Sequence, residues 1–255
     1  MNVLSENTKE FESSAFMRTE QALGSRAAKA VANARVAVIG VGGVGGWCAE
    51  ALVRTGVGSL LIVDPDRVAL SNTNRQIMAN VNTVGEFKVD VLKRRLKEIN
   101  PGLNIEAASK RYTKADASSF GLEKYDCVVD AIDSLDDKAD LILHITSLDR
   151  TVLFSSMGAA MRRDPLAVAK AEFWEIKADA LARVLRSRFR KMGVFPKARF
   201  NCVYSKEKPF SPEDAPPVSE KRAYGSLVHV SAVFGFALAG MVIDEITGAA
   251  KSGIV

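Results

Sequence analysis

Val36-Ala37-Val38-Ile39-Gly40-Val41-Gly42-Gly43-Val44-Gly45 decides the reading of this 255-residue chain. Four apolar β-formers run straight into a glycine-rich turn, and an apolar pattern resumes over 47–52. The order is strand, tight turn, helix. The glycines let the backbone approach a phosphate, and the helix start supplies unpaired N–H groups and a positive dipole end. A second strand, Ser59-Leu60-Leu61-Ile62-Val63, ends at Asp64, nineteen residues past Gly45. An acid at that distance meets a ribose hydroxyl. The unit is expected to bind a nucleotide, although a turn made for packing alone has the same glycines. The turn by itself does not choose between a dinucleotide and ATP.

The pattern repeats outward from this unit. Residues 1–16 read as an arm and 18–33 as one helix, with Ala22, Leu23, Ala27 and Val31 on one side. Val89, Leu92, Leu96 and Ile99 mark a helix over 84–99, which Asn100-Pro101-Gly102 stops. Strands are expected over 103–107, 125–132 and 151–155, with a helix over about 136–148. The run 125–132 is almost continuously apolar, as a strand buried on both faces is. Strands alternating with helices argue for an α/β fold, a Rossmann-like doubly wound and mostly parallel sheet. After Met157-Gly158 a C-terminal extension follows: strands over 166–176 and 199–204, a basic helix over 178–192, a Pro- and charge-rich loop over 206–225, and an apolar helix. With no linker in view, one domain is expected: arm and helix 1–34, nucleotide-binding core 35–158, and substrate-side extension 159–255.

Composition narrows the class. The chain is 47% apolar and 25% charged, ordinary for a soluble globular protein. A net charge of +5 suits a polyanionic partner. Cys48, Cys127 and Cys202 lie far apart without a CxxC pair, which argues against a disulfide framework and a four-cysteine zinc site. A reducing cytoplasmic setting fits such usage. The N-terminus carries Glu6, Lys9, Glu10 and Glu12 and has no apolar run of the secretory kind. The stretch 227–243 is almost uncharged but short for a bilayer span and is read as a core helix, so integral membrane association is not expected.

The chemistry-bearing residues gather at strand ends. The loop is GxGGxG; Asp64-Pro65-Asp66 follows the second strand, then Asn72-Thr73-Asn74-Arg75-Gln76, with Lys88 twelve residues past Gln76. The strand from Tyr125 ends in Asp130-Ala131-Ile132-Asp133-Ser134. Ligands of open α/β sheets bind at such carboxyl ends. Arg75 and Lys88 suit a triphosphate better than a nicotinamide, and Asp133 suits a magnesium ion shared with phosphates.

These segments, together with Arg18-Thr19-Glu20 and Gly225-Ser226, resemble the ubiquitin-activating-enzyme-like adenylating family. Within it they are similar to the branch that dehydrates N6-threonylcarbamoyladenosine beside the tRNA anticodon. The resemblance implies that Gly40, Gly42, Gly43 and Gly45 cradle ATP phosphates and that Asp64, with Asp66 near it, takes the ribose. It implies that Asn72, Arg75 and Lys88 hold phosphates, that Asp133 holds Mg2+, and that Arg18 reaches the phosphate of a partner subunit, hence a homodimer. Each has a plainer rival: Asp64 as a turn cap, Arg75 and Lys88 as solvated charges, Asp133 as a helix cap, Arg18 as a helix-face charge. A monovalent cation and a sulfur-transfer protein are further candidate partners; zinc is not implied.

For the tRNA, Arg183, Arg186 and Arg190 recur on one face of the basic helix, opposite Leu181, Val184, Leu185 and Phe189; an ordinary solvated face reads the same way. Arg162-Arg163 is a weaker candidate of this kind. Cys202 is the best nucleophile among the cysteines, although core packing suits all three. His144 and His229 read as packing residues. Around Trp174-Glu175-Ile176-Lys177 the chain departs from the branch's pattern. The rival function is adenylation of the C-terminal glycine of a small sulfur-carrier protein, against which the missing zinc cysteines count. A non-catalytic nucleotide-binding scaffold would have no use for Arg75, Lys88 and Asp133.

Overall fold

The computed structural model describes residues 14–210, 212–213 and 224–248. Helices α1 (Met17–Leu23) and α2 (Ser25–Asn33) lead into β1 (Arg35–Ile39), α3 (Gly45–Arg54) and β2 (Ser59–Val63). Then come α4 (Lys88–Ile99), β3 (Asn104–Ala108), β4 (Cys127–Asp130), α5 (Leu135–Ile145) and β5 (Val152–Ser156). The last part holds β6 (Val168–Glu172), α6 (Ala180–Met192), β7 (Asn201–Ser205) and α7 (Val228–Thr247). One seven-stranded sheet has the order β3-β2-β1-β4-β5-β7-β6. All neighbours are parallel except β6, which runs antiparallel to β7 at the edge. This is the doubly wound α/β sheet that the sequence predicts.

Successive residues of a strand face opposite sides, and both sides are covered. Val36 and Val38 face a core shared with α3, α4 and α7, whereas Ala37 and Ile39 face one shared with α5 and α6. Burying both faces explains why these strands read as continuous apolar runs rather than alternating ones. Helix α7 crosses α3 closely. A Cβ on Gly235 would stand 2.6 Å from the Val44 carbonyl oxygen, so glycine is what lets the two backbones approach. Among the described residues α7 is the one helix long and apolar enough to cross a bilayer by length and composition. Here its inner side, with Val230, Phe234, Leu238 and Val242, is fully buried in the core.

Several boundaries differ from the sequence reading for local reasons. The helix expected over 18–33 is two helices, because Gly24 takes φ +81° between them. The helix expected from 84 begins at Lys88. Gly85 takes φ +90°, and the amides of Gly85 and Lys88 donate to the carbonyls of Val68 and Asp66 instead of entering a helix. The strand expected over 166–176 is only Val168–Glu172, flanked by single 3-10 turns. Most of the N-terminal arm and part of the 206–225 loop lie outside the described residues.

The expected packing role of His144 is visible. Its Nδ1 lies 2.9 Å from the Tyr112 hydroxyl, and the two rings stack. Burial holds the imidazole below the usual histidine range. The neutral form is therefore favoured in the folded chain. Its stabilising contribution is complete above the unfolded value of about 6.5 and is lost as pH falls through the lower folded value. Melting temperatures at pH 7.5 and pH 5 should therefore lie closer together for His144→Gln than for the parent chain. An unchanged gap would place the acid sensitivity elsewhere.

Candidate nucleotide-binding site

The strand order reverses between β1 and β4, and ligands of such sheets bind at the carboxyl ends beside that reversal. Gly40 leaves β1 there with φ +88°, and a Cβ on it would lie 2.6 Å from the Ala131 carbonyl oxygen. Gly45, at the start of α3, faces the Gly40 carbonyl so closely that no side chain fits. These two glycines make the turn itself. Around Gly42 a Cβ would meet only the Gln76 amide nitrogen, at 3.8 Å, so its surface is open. A Cβ on Gly43 would meet Arg75 Cγ at 3.3 Å. The turn thus presents bare backbone at a helix N-terminus, an arrangement that binds phosphate.

Asp64 follows β2 and is buried. One carboxylate oxygen accepts from the Val41 amide at 2.9 Å, in the glycine turn, and the other from the Asp66 amide at 2.9 Å. Asp64 therefore caps its own turn and braces the glycine loop. Burial pushes its carboxyl up from the ordinary range, opposed by the Lys88 ammonium and those two amides. Lys88, only 5% exposed, is no solvated charge. Its ammonium lies 2.7 Å from Asp66 Oδ2 and 3.9 Å from Asp64 Oδ1. The bridge from the Lys88 amide to the Asp66 carbonyl fixes the backbone beneath this contact.

The segment after β2 closes over α3. Trp47 Nε1 donates to the Arg75 carbonyl at 3.0 Å. Asn72 is buried, with Oδ1 accepting from the Ala69 amide. Arg75 donates to the Ser71 carbonyl and to Asn74 Oδ1, and Asn74 Nδ2 donates to the Ser226 carbonyl. Gln76 Oε1 is buried without a hydrogen-bond partner, and Nε2 of the same amide is the group nearest Gly42. An unmatched buried acceptor is costly, and its place next to a bare backbone turn fits a site completed by a bound polar group.

Asp133 stands past the end of β4, exposed, and does not cap α5, whose N-cap is Ser134. Among the described residues no three His, Cys, Asp or Glu side chains gather as a metal cage. One exposed carboxylate, next to the 131–132 backbone that abuts Gly40, fits Mg2+, which usually keeps its waters and takes one or two carboxylates plus phosphate oxygens. Beneath Asp133 lies a buried network. The Lys138 ammonium sits 2.8 Å from Asp130 Oδ2 and 3.1 Å from the Ile132 carbonyl, and both side chains are fully buried. Ser155 Oγ donates to the same Asp130 oxygen at 2.6 Å, and the Ile132 amide donates to Asp130 Oδ1 at 3.1 Å. The network clamps the 130–132 backbone against Gly40. Sequence reasoning passed over Lys138. The available signal was a lysine on the apolar stripe of α5 with Leu141, Ile142 and Ile145.

The remaining candidates lie apart from this cluster. Phe16 packs on Gly56 in the turn before β2, at the sheet end opposite the glycine loop. Arg18 is exposed two residues on, in α1, none of whose residues is buried. On α6, Arg183 and Arg190 are exposed, but Arg186 turns inward and donates to the Phe173 and Ile176 carbonyls, both at 2.8 Å. Arg188 pairs with Asp136 of α5. Val184, expected on the apolar face, is 47% exposed. Arg162 is buried, not on the surface beside Arg163. Burial pushes the Cys202 thiol far up and that of Cys127 up to about 12, and Cys48 is likewise buried; none is available as a nucleophile. Beyond β3 a cleft of about 400 Å³ is lined by Lys110, Arg111, Thr113, Asp116 and Ser119.

The family model of the ThiF family matches residues 16–251. The chain is 40% identical over 194 residues to the tRNA threonylcarbamoyladenosine dehydratase of Bacillus subtilis, covering 76% of this chain and 75% of that one. The crystal structure of the Escherichia coli tRNA N6-threonylcarbamoyladenosine dehydratase in complex with ATP superposes with a TM-score of 0.83 at 31% identity, covering 94% and 97% of the two chains. A sulfur carrier protein adenylyltransferase of Thermus thermophilus is 38% identical over 112 residues, 44% of this chain and 41% of that one. The sheet reversal, the bare turn and the lysine held between two aspartates thus come with a match spanning nearly the whole sequence, and the chain belongs to the ThiF family.

Proposed function

We propose that this protein is an ATP-dependent tRNA threonylcarbamoyladenosine dehydratase. The observation that carries the reading is the glycine turn at the sheet reversal, with Lys88 buried between Asp64 and Asp66, in a chain that matches dehydratases along most of its length. A carboxylate is a poor acyl electrophile because oxide does not leave. Its oxygen attacks the α-phosphorus of ATP; the new O–P bond replaces the bond to pyrophosphate, which departs. A nucleophilic nitrogen or oxygen of the threonylcarbamoyl group then attacks the activated carbon, AMP leaves with the C–O bond electrons, and the nucleophile loses its proton. The product is a ring lighter by one water. Ring closure within one substrate needs chiefly positioning, since intramolecular attack has a high effective molarity. It also needs no cysteine thioester.

The chain's own groups have distinct tasks. Gly40, Gly42, Gly43 and Gly45 offer backbone to the phosphates, and Asp64 takes the ribose while bracing the turn. Lys88 and Arg75 stabilise charge that develops on the phosphate oxygens. Asp133 would hold Mg2+, which supplies charge neutralisation on the phosphates when bound. Arg18 lies at the far end of the sheet from its own glycine turn, which supports a role toward the phosphates of a second copy in a homodimer. Arg183 and Arg190 serve the RNA backbone.

The test supplies ATP, Mg2+ and tRNA bearing uncyclised threonylcarbamoyladenosine, then weighs that nucleoside after digestion. Loss of one water's mass, with AMP and pyrophosphate formed and both abolished in Asp133→Ala, is the expected result. AMP formation that requires a small sulfur-carrier protein and leaves the tRNA unchanged would transfer the assignment to protein adenylation.

A further inference from the structure

Arg162 is 3% exposed, yet its Nε and Nη1 find no hydrogen-bond partner. Its nearest acid, Asp179, is 3.8 Å from Nη2 and is already engaged: Oδ1 caps α6 through the Ala182 amide and Oδ2 accepts from the Gly158 amide. A buried guanidinium with idle donors costs free energy that an arriving anion would recover. The preceding residue, Met161, has φ +59°, the one positive value outside glycine among the described residues. Such strain persists only where surrounding contacts hold it, and it concentrates at functional sites. Those contacts are present: the Met161 amide donates to the Gly225 carbonyl and its carbonyl accepts from the Phe210 amide.

The position fits a substrate-side role. Arg162 lies six residues past β5, beyond the carboxyl end of the sheet. Through Gly225 and Ser226 its loop adjoins Asn74, which accepts from Arg75. The phosphate-holding segment and the Arg162 loop are thus tied to one short stretch of chain. A carboxylate that attacks ATP carries negative charge toward a polyanion and needs a cation of its own. Arginine's planar fork matches a carboxylate through two parallel N–H donors.

We propose that Arg162 receives the carboxylate of the substrate on a guanidinium edge made by Nη2 and one of the idle donors, Nε or Nη1, and holds it for attack on ATP. This rests on the dehydratase reading. The test compares binding of tRNA carrying threonylcarbamoyladenosine with the same tRNA carrying unmodified adenosine, for the parent chain, Arg162→Gln and Arg162→Lys. The parent should prefer the modified tRNA, and Arg162→Gln should reduce that preference about 10- to 100-fold, the worth of a charge-assisted pair. ATP affinity should be unchanged, and Arg162→Lys, which keeps charge but not the fork, should fall between. Undiminished preference in Arg162→Gln overturns the proposal. So does loss of both ATP binding and the melting transition in both variants, which would make Arg162 a residue of the fold alone. A parent chain that neither prefers nor cyclises the modified tRNA would instead overturn the dehydratase reading.

Discussion

Replacing Lys138 by methionine is expected to destabilise the fold by about 3–5 kcal/mol, the cost of leaving one member of a buried ion pair without its partner. The ammonium and the Asp130 carboxylate are both wholly buried and 2.8 Å apart. Methionine fills much of the volume but leaves the carboxylate with only Ser155 Oγ and the Ile132 amide as donors. Equilibrium denaturation in urea measures the loss. The double variant Lys138→Met with Asp130→Asn removes the stranded charge while keeping a hydrogen-bonding side chain, and should recover a large part of the stability. A single variant within about 1 kcal/mol of the parent would show that the pair is not what holds this corner. The consequence would reach the site, because Lys138 also holds the Ile132 carbonyl, one residue before Asp133.

The second large effect is catalytic. Lys88→Ala should lower the rate of AMP formation about 10²- to 10³-fold, the usual loss when one preorganised donor to a developing oxyanion is removed. Lys88 stands at the start of α4 with its ammonium between two aspartates. Its loss would also leave the Asp64 carboxyl more strongly raised by burial, weakening the brace on the glycine turn. Lys88→Arg keeps the charge and should retain more activity than the alanine variant. Turnover at saturating ATP and tRNA substrate is the measurement, with the circular dichroism spectrum checked for an unchanged fold. A loss under about tenfold would remove Lys88 from the phosphate-binding set.

Much of the fold was legible because its signals are local. The apolar run of β1, the glycine turn and the periodicity of α3 and α4 each follow from residues a few positions apart. Helix boundaries were less so. Gly24 could be read as a neutral member of a helical pattern, but its positive φ splits α1 from α2. The start of α4 moved to Lys88 because the amides of Gly85 and Lys88 are taken by Val68 and Asp66, a pairing across a loop. On α6 a three- and four-residue spacing put Arg183, Arg186 and Arg190 on one face. Spacing alone could not show that carbonyls at Phe173 and Ile176 would draw Arg186 inward.

The sequence by itself determined the doubly wound sheet and the identity of the residues at the strand ends. Backbone preference and apolar periodicity act over a few residues and leave their record in the order of amino acids. Only the tertiary structure decided which charges are buried and against what. Lys138 meets Asp130 from the next helix, Lys88 is closed between Asp64 and Asp66, and Arg162 is enclosed with donors idle. Burial is set by segments far apart in the chain, and it is burial that turns an ordinary lysine or arginine into a costly and specific one.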